Sequence, residues 1–523
     1  METRLDAAAV RRWADLAVGA LATARERIDA ANVFPVADSD TGTNMLLTLA
    51  AARRAVDDAE DDVVGALHDL ARGALLAARG NSGIILSEML RGLAVGIERA
   101  ATTLRTPPGA DTESAPGARA LAHALRTGAE AARAAVARPA PGTMLTAADA
   151  ASEAAESAAD AGAGTTEVLT AAVAGARRAV LGSPDELDIL AHHGVLDAGA
   201  YGLTLVLAAL RDALVTPDAD GAVTDATAAL DLPHDLAADR PRATDAARPG
   251  HGVSDSEPDG AFEVMYVVEA ETDGGDLADG LRARLRAVGE SVVVVGGDGV
   301  WQAHVHTDLP AAALEAAEGA GLRQVCVRSL LVPPGDVGVV AGVRSPGLLA
   351  DAARTGAVVL ARTDRPWTPS ELVRVLEDTG RDHIVTVLRS DSVATLRRSL
   401  HRMPHVSVEA VVVPDDLHVV AALTAREESL GRHRDEARAL ADMRAAVAAL
   451  RWCDLDVRTD DVADGLARLG DPGDVGLAMV LAGSGVPDTA LRTCRALLEE
   501  RGGLDVVELV SGRDDTVLRV GLL

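Results

Sequence analysis

The chain contains no lysine, and all 50 of its basic residues are arginines. Phosphate sites that depend on a lysine, such as the P-loop and the lysine of protein kinases, are therefore excluded. Cysteine is also scarce, because only Cys326, Cys453 and Cys494 are present and they lie far apart in the sequence. This spacing argues against a disulfide framework and against a cysteine-rich zinc module.

Positive charge is outweighed by negative charge, with 50 basic against 79 acidic residues and a net charge of −29. This balance argues against a protein that coats nucleic acid or an anionic membrane, whereas a nucleotide with bound Mg²⁺ remains compatible with it. No apolar run approaches the roughly 20 residues of a membrane span. The first residues form an acidic amphipathic pattern rather than a signal peptide, so we expect a cytoplasmic protein without integral membrane contact.

The length of 523 residues predicts a multidomain protein that combines α and α/β domains. Residues 1–213 repeat apolar side chains at helical intervals and predict a helical domain. Residues 214–259 are rich in Asp, Pro, Gly and Ala, which is typical of a mobile acidic linker. Residues 260–332 predict a small α+β middle domain, and the alternating strands and helices of residues 337–523 predict an α/β domain.

Two carboxylates one residue apart, Asp38 and Asp40, occur in the segment NVFPVADSDTGTNM, residues 32–45. Side chains at i and i+2 of an extended segment point the same way, so both can converge on a Mg²⁺ ion. An apolar helix follows, and its free N–H groups favour an anion. The residues at that helix start are Thr41, Gly42, Thr43 and Asn44. From the spacing alone, an ordinary Asx turn with an N-cap is the favoured interpretation.

Three later segments repeat this pattern of small residues before an apolar helix. They contain Asn81, Ser82 and Gly83 in ARGNSG, Thr143 and Met144 in PGTMLT, and Asp197 and Gly199 in GVLDAG. Small residues let a phosphate approach backbone N–H groups, and they equally permit a tight turn between helices. Four such junctions in one helical domain either gather around a single site or are four ordinary caps.

A further motif, VWQAHVHTDLP at residues 300–310, predicts a strand with His304, His306 and Asp308 on one face and Val305 toward the core. Neutral imidazoles at this spacing bind Zn²⁺ or relay protons, and exposed surface histidines show the same spacing. The residues alone leave these alternatives open.

In their order and separation, the four helical motifs resemble the nucleotide-binding domain of the dihydroxyacetone kinase family, the DAK2 or DhaL domain. The chain as a whole resembles the three-domain branch of that family, the ATP-binding subunits of bacterial fatty acid kinases. The resemblance implies a barrel of antiparallel helices over residues 1–213 that holds ATP and two Mg²⁺ ions at one end by its loops.

The resemblance also implies roles for individual residues. Asp38 and Asp40 are expected to bind Mg²⁺, and Asn44 is expected near the phosphates. Ser82 and Gly83 are expected to cradle phosphate. The nucleotide is then bordered by Thr143, Met144 and the turn from Asp197 to Gly199.

Two departures from the family pattern affect the metal site. Relatives have Pro-Asp-Gly-Asp where this chain has Ala37, Asp38, Ser39 and Asp40. The dihydroxyacetone kinases also have a third aspartate five residues before the pair, where Val33 stands here. Asn32 is the nearest oxygen donor and is our expected replacement for that ligand.

The family's middle domain carries a similar His-Val-His-Thr-Asp segment in which both histidines are implicated in activity. A neighbouring strand supplies a cysteine there, and the aligned residue in this chain is Glu263. A Zn²⁺ site here would therefore use a carboxylate in place of a thiolate. We expect His304 and His306 to be catalytic residues, without choosing between a metal-binding and a proton-transfer role.

These expectations combine into an ATP- and Mg²⁺-dependent phosphotransferase that phosphorylates the carboxylate of a fatty acid. A separate DegV-like fatty-acid-binding protein would present the acyl chain, and the resemblance implies a homodimer formed through the C-terminal domains. The alternatives are a kinase of dihydroxyacetone or another small polyol, a nucleotide-binding regulator without turnover, and a metal-dependent hydrolase built on His304, His306 and Asp308.

Overall fold

The computed structural model describes residues 5–35, 37, 39–56, 62–103, 117–214, 236, 260–270, 275–297, 299–317, 319–332, 335–362, 365–470 and 476–523. The chain forms two compact units. The first comprises Met1–Glu257, Thr272–Arg282 and Ser291–His304, and the second comprises Pro258–Glu271, Ala283–Glu290 and Val305–Leu523. Most of the predicted linker, residues 214–259, lies outside the described residues.

The amino-terminal part of the first unit is helical. Its helices are α1 (Ala7–Ala30), α2 (Thr41–Val56), α3 (Val63–Ala77), α4 (Gly80–Thr103), α5 (Ala118–Ala135), α6 (Met144–Asp160), α7 (Thr165–Glu186), α8 (Asp188–His193) and α9 (Ala198–Leu214). The long helices pack in chain order, and α9 closes the ring by packing against both α7 and α1. The predicted helical barrel is therefore confirmed.

The interior of this barrel is built mainly from alanine and leucine side chains, which allow close packing of neighbouring helices. Trp13 on α1 is buried, and its Nε1–H donates to the carbonyl of Val206 on α9 at 2.9 Å. Successive helices joined by short connections run antiparallel. As a result, α2, α4, α6 and α9 all begin at the same end of the barrel.

The middle region contributes β1 (Phe262–Glu269), α10 (Gly275–Leu285), β2 (Glu290–Gly297), β3 (Val300–Thr307), α11 (Pro310–Glu315) and β4 (Gly321–Ser329). The α/β region then adds β5 (Gly338–Val343), α12 (Leu349–Arg354), β6 (Val358–Ala361), α13 (Pro369–Glu377), β7 (His383–Leu388), α14 (Ser390–Ser399) and β8 (Ser407–Val412).

These strands form one sheet in the order β2-β3-β1-β4-β6-β5-β7-β8. β4 pairs antiparallel with β6, whereas β6, β5, β7 and β8 are parallel to one another. The middle region and the α/β region thus share a sheet. The sequence did not indicate this, because strand pairing between distant segments leaves no local pattern.

The remainder of the second unit forms a smaller sheet. Its elements are α15 (Asp416–His433), α16 (Glu436–Ala449), β9 (Arg451–Asp456), α17 (Val462–Ala467), β10 (Leu477–Ala482), α18 (Asp488–Glu500), β11 (Asp505–Val510) and β12 (Val517–Leu522). The strand order is β11-β10-β12-β9. The expected multidomain α and α/β architecture is confirmed. Across the described part of the chain, no helix is both long and apolar enough to cross a membrane.

Candidate active site

The starts of α2 and α4 lie side by side. Thr41 Oγ1 is 3.4 Å from Ser82 Oγ, which joins the first two predicted phosphate motifs. Gly80 has a φ of +55°, and a Cβ atom there would lie 2.4 Å from Nδ2 of Asn44. A side chain at this position would be strained by its backbone and would collide with the amide, so the close approach requires glycine.

Thr48, one turn after Asn44 on α2, fastens this contact from the buried side. Its hydroxyl donates to the Asn44 carbonyl at 2.7 Å and accepts the Arg79 N–H at 3.2 Å. A Cβ atom on Gly83 would lie 2.4 Å from the Thr48 hydroxyl, so the first turn of α4 also packs closely here. Thr48 was not identified from the sequence. The signal was a threonine placed four residues after Asn44 in an otherwise apolar helix.

Asp29, in the last turn of α1, holds the start of α2 and was also missed from the sequence. Its carboxylate accepts the Thr43 N–H at 3.0 Å and the Thr43 hydroxyl at 2.8 Å. Burial raises the pKa of Asp29, the hydrogen bonds from Thr43 and Gly42 lower it, and the charge of Asp40 raises it. The net pKa lies above its ordinary value. An acidic residue at a helix carboxyl end is unfavourable, and this could have marked it as functional.

Asp40 immediately precedes α2, and its carbonyl accepts the Asn44 N–H at 2.8 Å. Asp38 lies outside the described residues, so its role as a Mg²⁺ ligand stays a prediction. Asn32 is buried, and its N–H donates to the Asp29 carbonyl at 3.2 Å. Ser39 adopts a φ of 55°, the left-handed backbone that glycine takes most easily.

The starts of α6 and α9 form a second pair, joined by Asp197. This buried carboxylate accepts the Ala200 N–H at 2.7 Å and also hydrogen bonds from the N–H groups of Met144 and Gly199. Burial raises its pKa to about 7, although those N–H groups oppose the shift. Asp197 therefore positions two helix starts.

The two pairs of helix starts meet through α2 and α9, because Gly202 on α9 packs against the Met45 sulfur. All four predicted junctions therefore lie at one end of the barrel. Asn81 Oδ1 is buried there without a hydrogen-bond partner among the described residues. Exposed helix N–H groups, a neighbouring carboxylate and an acceptor still to be satisfied fit a nucleotide with its Mg²⁺ ion.

The histidine motif is buried, which excludes the interpretation as exposed surface histidines. His304 is 0% exposed, His306 is 3% exposed and Glu263 on β1 is 5% exposed. Possible ligand atoms of these three residues all lie within 4.8 Å of one another. Asp308 is exposed, and it accepts the Ala261 N–H at 2.8 Å instead. The predicted grouping of Asp308 with the histidines is therefore not observed.

The chemistry of this cluster fits a Zn²⁺ site. Two imidazoles and one carboxylate form a known zinc donor set, with a fourth position left for water or substrate. Arg328 on β4 donates to Oε2 of Glu263, which is the kind of outer partner that orients a metal-binding carboxylate.

Gln302 connects the strand of the histidines to the helical barrel within the first unit. Its side chain is 0% exposed, and Nε2 donates to the carbonyl of Ala78 at 2.8 Å. Ala78 stands two residues before Gly80 in the connection to α4. Because Gln302 and His304 are two residues apart on β3, their side chains share one face. The overlooked signal in the sequence was a polar residue in a buried strand.

Family comparisons agree with this layout. Residues 35–212 match the family model of the DAK2 domain, and residues 259–328 match the FakA-like middle domain of fatty acid kinases. Protein YloV of Bacillus subtilis strain 168 is 31% identical over 298 residues, which cover 56% of this chain and 50% of YloV. Protein SH1689 of Staphylococcus haemolyticus is 31% identical over 288 residues, 54% of this chain and 47% of that protein. The match thus spans about half the length of these curated relatives.

Among solved structures, the dihydroxyacetone kinase of C. freundii gives a TM-score of 0.27 at 20% sequence identity. The alignment covers 39% of this chain and 34% of that kinase. A score of this size does not establish a common fold.

The raised pKa of Asp197 predicts a pH-dependent stability. The protonated carboxyl is favoured in the folded state, so its contribution is complete below about pH 4 and is lost as pH rises to about 7. Asp197→Asn keeps a cap for α9 but cannot ionise. We expect the melting temperature of the parent to fall relative to this variant between pH 5 and pH 7. Asp160→Asn, an exposed change at the other end of α6, serves as the control, and parallel curves for Asp197→Asn would contradict the assignment.

Proposed function

Because this chain belongs to the DAK2-domain family and carries the FakA-like middle domain of fatty acid kinases, we propose that it transfers the γ-phosphoryl group of ATP to a fatty acid carboxylate. The product would be an acyl phosphate. The observation that carries the proposal is the convergence of four glycine- and hydroxyl-rich helix starts at one end of the barrel.

The helix starts supply the phosphate-binding part of this proposal. Each helix amino terminus carries roughly half a positive charge and has N–H groups without intrahelical partners. The starts of α2 and α4 would bind the phosphates, with Thr41 and Ser82 adjacent to each other at the junction. In a chain without lysine, Mg²⁺ held by Asp38 and Asp40 would neutralise the remaining phosphate charge.

The middle region supplies the acceptor side. His304 and His306 would orient the fatty acid carboxylate or take up a proton from it, and Glu263 would complete a metal site with them. Zn²⁺ bound there would act as a Lewis acid on a carboxylate oxygen. Gln302 would fix the position of this strand relative to the connection that opens α4, because its amide is bonded to the Ala78 carbonyl.

We further propose that a separate DegV-like fatty-acid-binding protein presents the acyl chain and that the chain acts as a homodimer. Phosphoryl transfer depends mainly on positioning and charge neutralisation, so a partner that holds the acyl chain leaves this chain to align the reacting groups.

The direct test follows ATP consumption by the chain with a purified DegV-like partner, with and without oleate. We expect ADP release to require both the partner and the fatty acid. Asp40→Asn should reduce Mg·ATP binding at least tenfold, since about 1.4 kcal/mol is a tenfold change and charged contacts are worth more than this. Asp160→Asn, the same change at the opposite end of the barrel, should leave binding unaltered. Turnover that is independent of fatty acid and partner, or that requires dihydroxyacetone, would contradict the proposed substrate.

A second prediction concerns Gln302. Gln302→Met keeps the side-chain length but removes the bond to Ala78, so the strand that carries His304 loses its anchor on the barrel. We expect kcat to fall about tenfold or more while Mg·ATP affinity changes little, because positioning errors of about an ångström cost rate rather than binding. Equal losses in kcat and in Mg·ATP affinity would show that Gln302 has only a general structural role.

A further inference from the structure

The second unit contains a cavity of about 300 Å³ that none of the proposed chemistry uses. It is lined by residues that follow β5, β7 and β8 and by residues of the smaller sheet. In open α/β sheets, ligands bind outside the carboxyl ends of parallel strands where the chain order reverses. Here β5 lies between β6 and β7, so the connections leave it in opposite directions, and the cavity lies at this reversal.

An arginine follows directly on each of three adjacent parallel strands at this edge. Arg362 follows β6, Arg344 follows β5 and Arg389 follows β7. Parallel strands bring residues at equivalent positions to the same edge, so the repeat places three guanidinium groups near one another. Arg344 and Arg389 line the cavity itself, and Arg362 is paired with Asp391 at 3.0 Å.

The smaller sheet contributes charges to the cavity that are already neutralised. Asp454 is bonded to both sides of the Arg519 guanidinium. Asp515 accepts from Arg513 Nε at 3.1 Å. These pairs leave no net charge on this wall.

Asp416, at the start of α15, is occupied by backbone groups. Its carboxylate accepts the Arg344 N–H at 3.1 Å and the Ser345 N–H at 2.8 Å. These bonds fix the loop after β5 and place Ser345 on the cavity wall. The carboxylate thus bonds to the backbone of Arg344 rather than to its guanidinium.

Two guanidinium groups remain without a carboxylate partner among the described residues, those of Arg344 and Arg389. Arg389 donates from Nη1 to the Pro414 carbonyl at 2.6 Å, while its Nε is buried with no acceptor. Burial lowers the pKa of Arg344, and the positive charges of Arg362, Arg389 and Arg513 lower it further. The cavity thus has an excess of positive potential where a buried donor needs an acceptor.

Asp415 adds a feature that narrows the ligand. Its Oδ1 is 2.9 Å from Nδ1 of His418, but its buried Oδ2 has no hydrogen-bond partner within the described parts of the chain. A ligand that satisfies both walls must accept from the arginines and donate to this carboxylate. A hydrogen phosphate group does both, whereas carboxylate and sulfate ions have no proton to donate at neutral pH.

We propose that this cavity binds a hydrogen phosphate group, either as inorganic phosphate or as part of a small phosphate monoester. Arg344 and Arg389 act as the cationic donors, Ser345 lies beside them, and Asp415 accepts a hydrogen bond from the protonated oxygen of the ligand. The proposal is independent of the nucleotide site, because all of these residues lie in the second unit.

The test is calorimetric titration of the full chain with inorganic phosphate, glycerol phosphate and sulfate in the absence of Mg²⁺. We expect phosphate or the monoester to bind at least tenfold more tightly than sulfate, and the tighter of the two identifies the source of the group. Arg344→Gln and Arg389→Gln should each weaken binding about tenfold or more, because charged hydrogen bonds are lost. Arg432→Gln, which removes an exposed ion pair with Glu428 on α15, is the matched control.

Asp415→Asn distinguishes a hydrogen phosphate site from a general anion site. The amide can donate to an anion, so the preference for phosphate over sulfate should disappear while sulfate binding is retained or strengthened. Retained sulfate binding also shows that the variant is folded. Absence of phosphate binding to the parent chain, or binding that neither arginine variant weakens, would overturn the proposal.

Discussion

The starts of α2 and α4 approach so closely that a Cβ atom on Gly80 or Gly83 would lie 2.4 Å from a polar side-chain atom of α2. This contact brings together two helix ends that each carry roughly half a positive charge. Asp29 and Asp40 supply negative charge beside them, and Asp29 bonds directly to the first turn of α2. A phosphate with Mg²⁺ complements such an arrangement, because it accepts from the helix N–H groups while its metal binds the carboxylates.

The middle region repeats the theme of buried polar groups that have defined partners. Glu263 is paired with Arg328, and the histidines lie within reach of the same carboxylate. Burying charged and polar groups costs several kcal/mol per ion unless they are paired, and apolar residues of similar size are often more stable. A strand such as β3 therefore retains these residues at a cost in stability, which favours a functional role for them.

Local patterns were sufficient to predict the helix starts, because small residues before an apolar helical repeat encode a helix amino terminus directly. Their convergence depends on closure of the barrel by α9 against α1, which no local pattern records. The resemblance to a known family supplied that step for Thr41, Ser82, Met144 and Asp197. The burial of His304 was open, because the strand pattern does not reveal that both faces of β3 are covered.

Residues that the sequence did not reveal act through distant partners. Gln302 bonds to Ala78 across 224 positions of sequence, and Thr43 bonds to Asp29 across 14. A polar side chain in an apolar segment is a signal that such a partner exists, but it does not identify the partner.

A crystal structure of the chain with Mg²⁺ and a non-hydrolysable ATP analogue tests the central claim most directly. We expect the β- and γ-phosphates at the joined starts of α2 and α4, with the metal at Asp40 and the analogue extending toward the starts of α6 and α9. A nucleotide bound elsewhere, or at these helix starts without contact to Asp40 or its metal, would contradict the account.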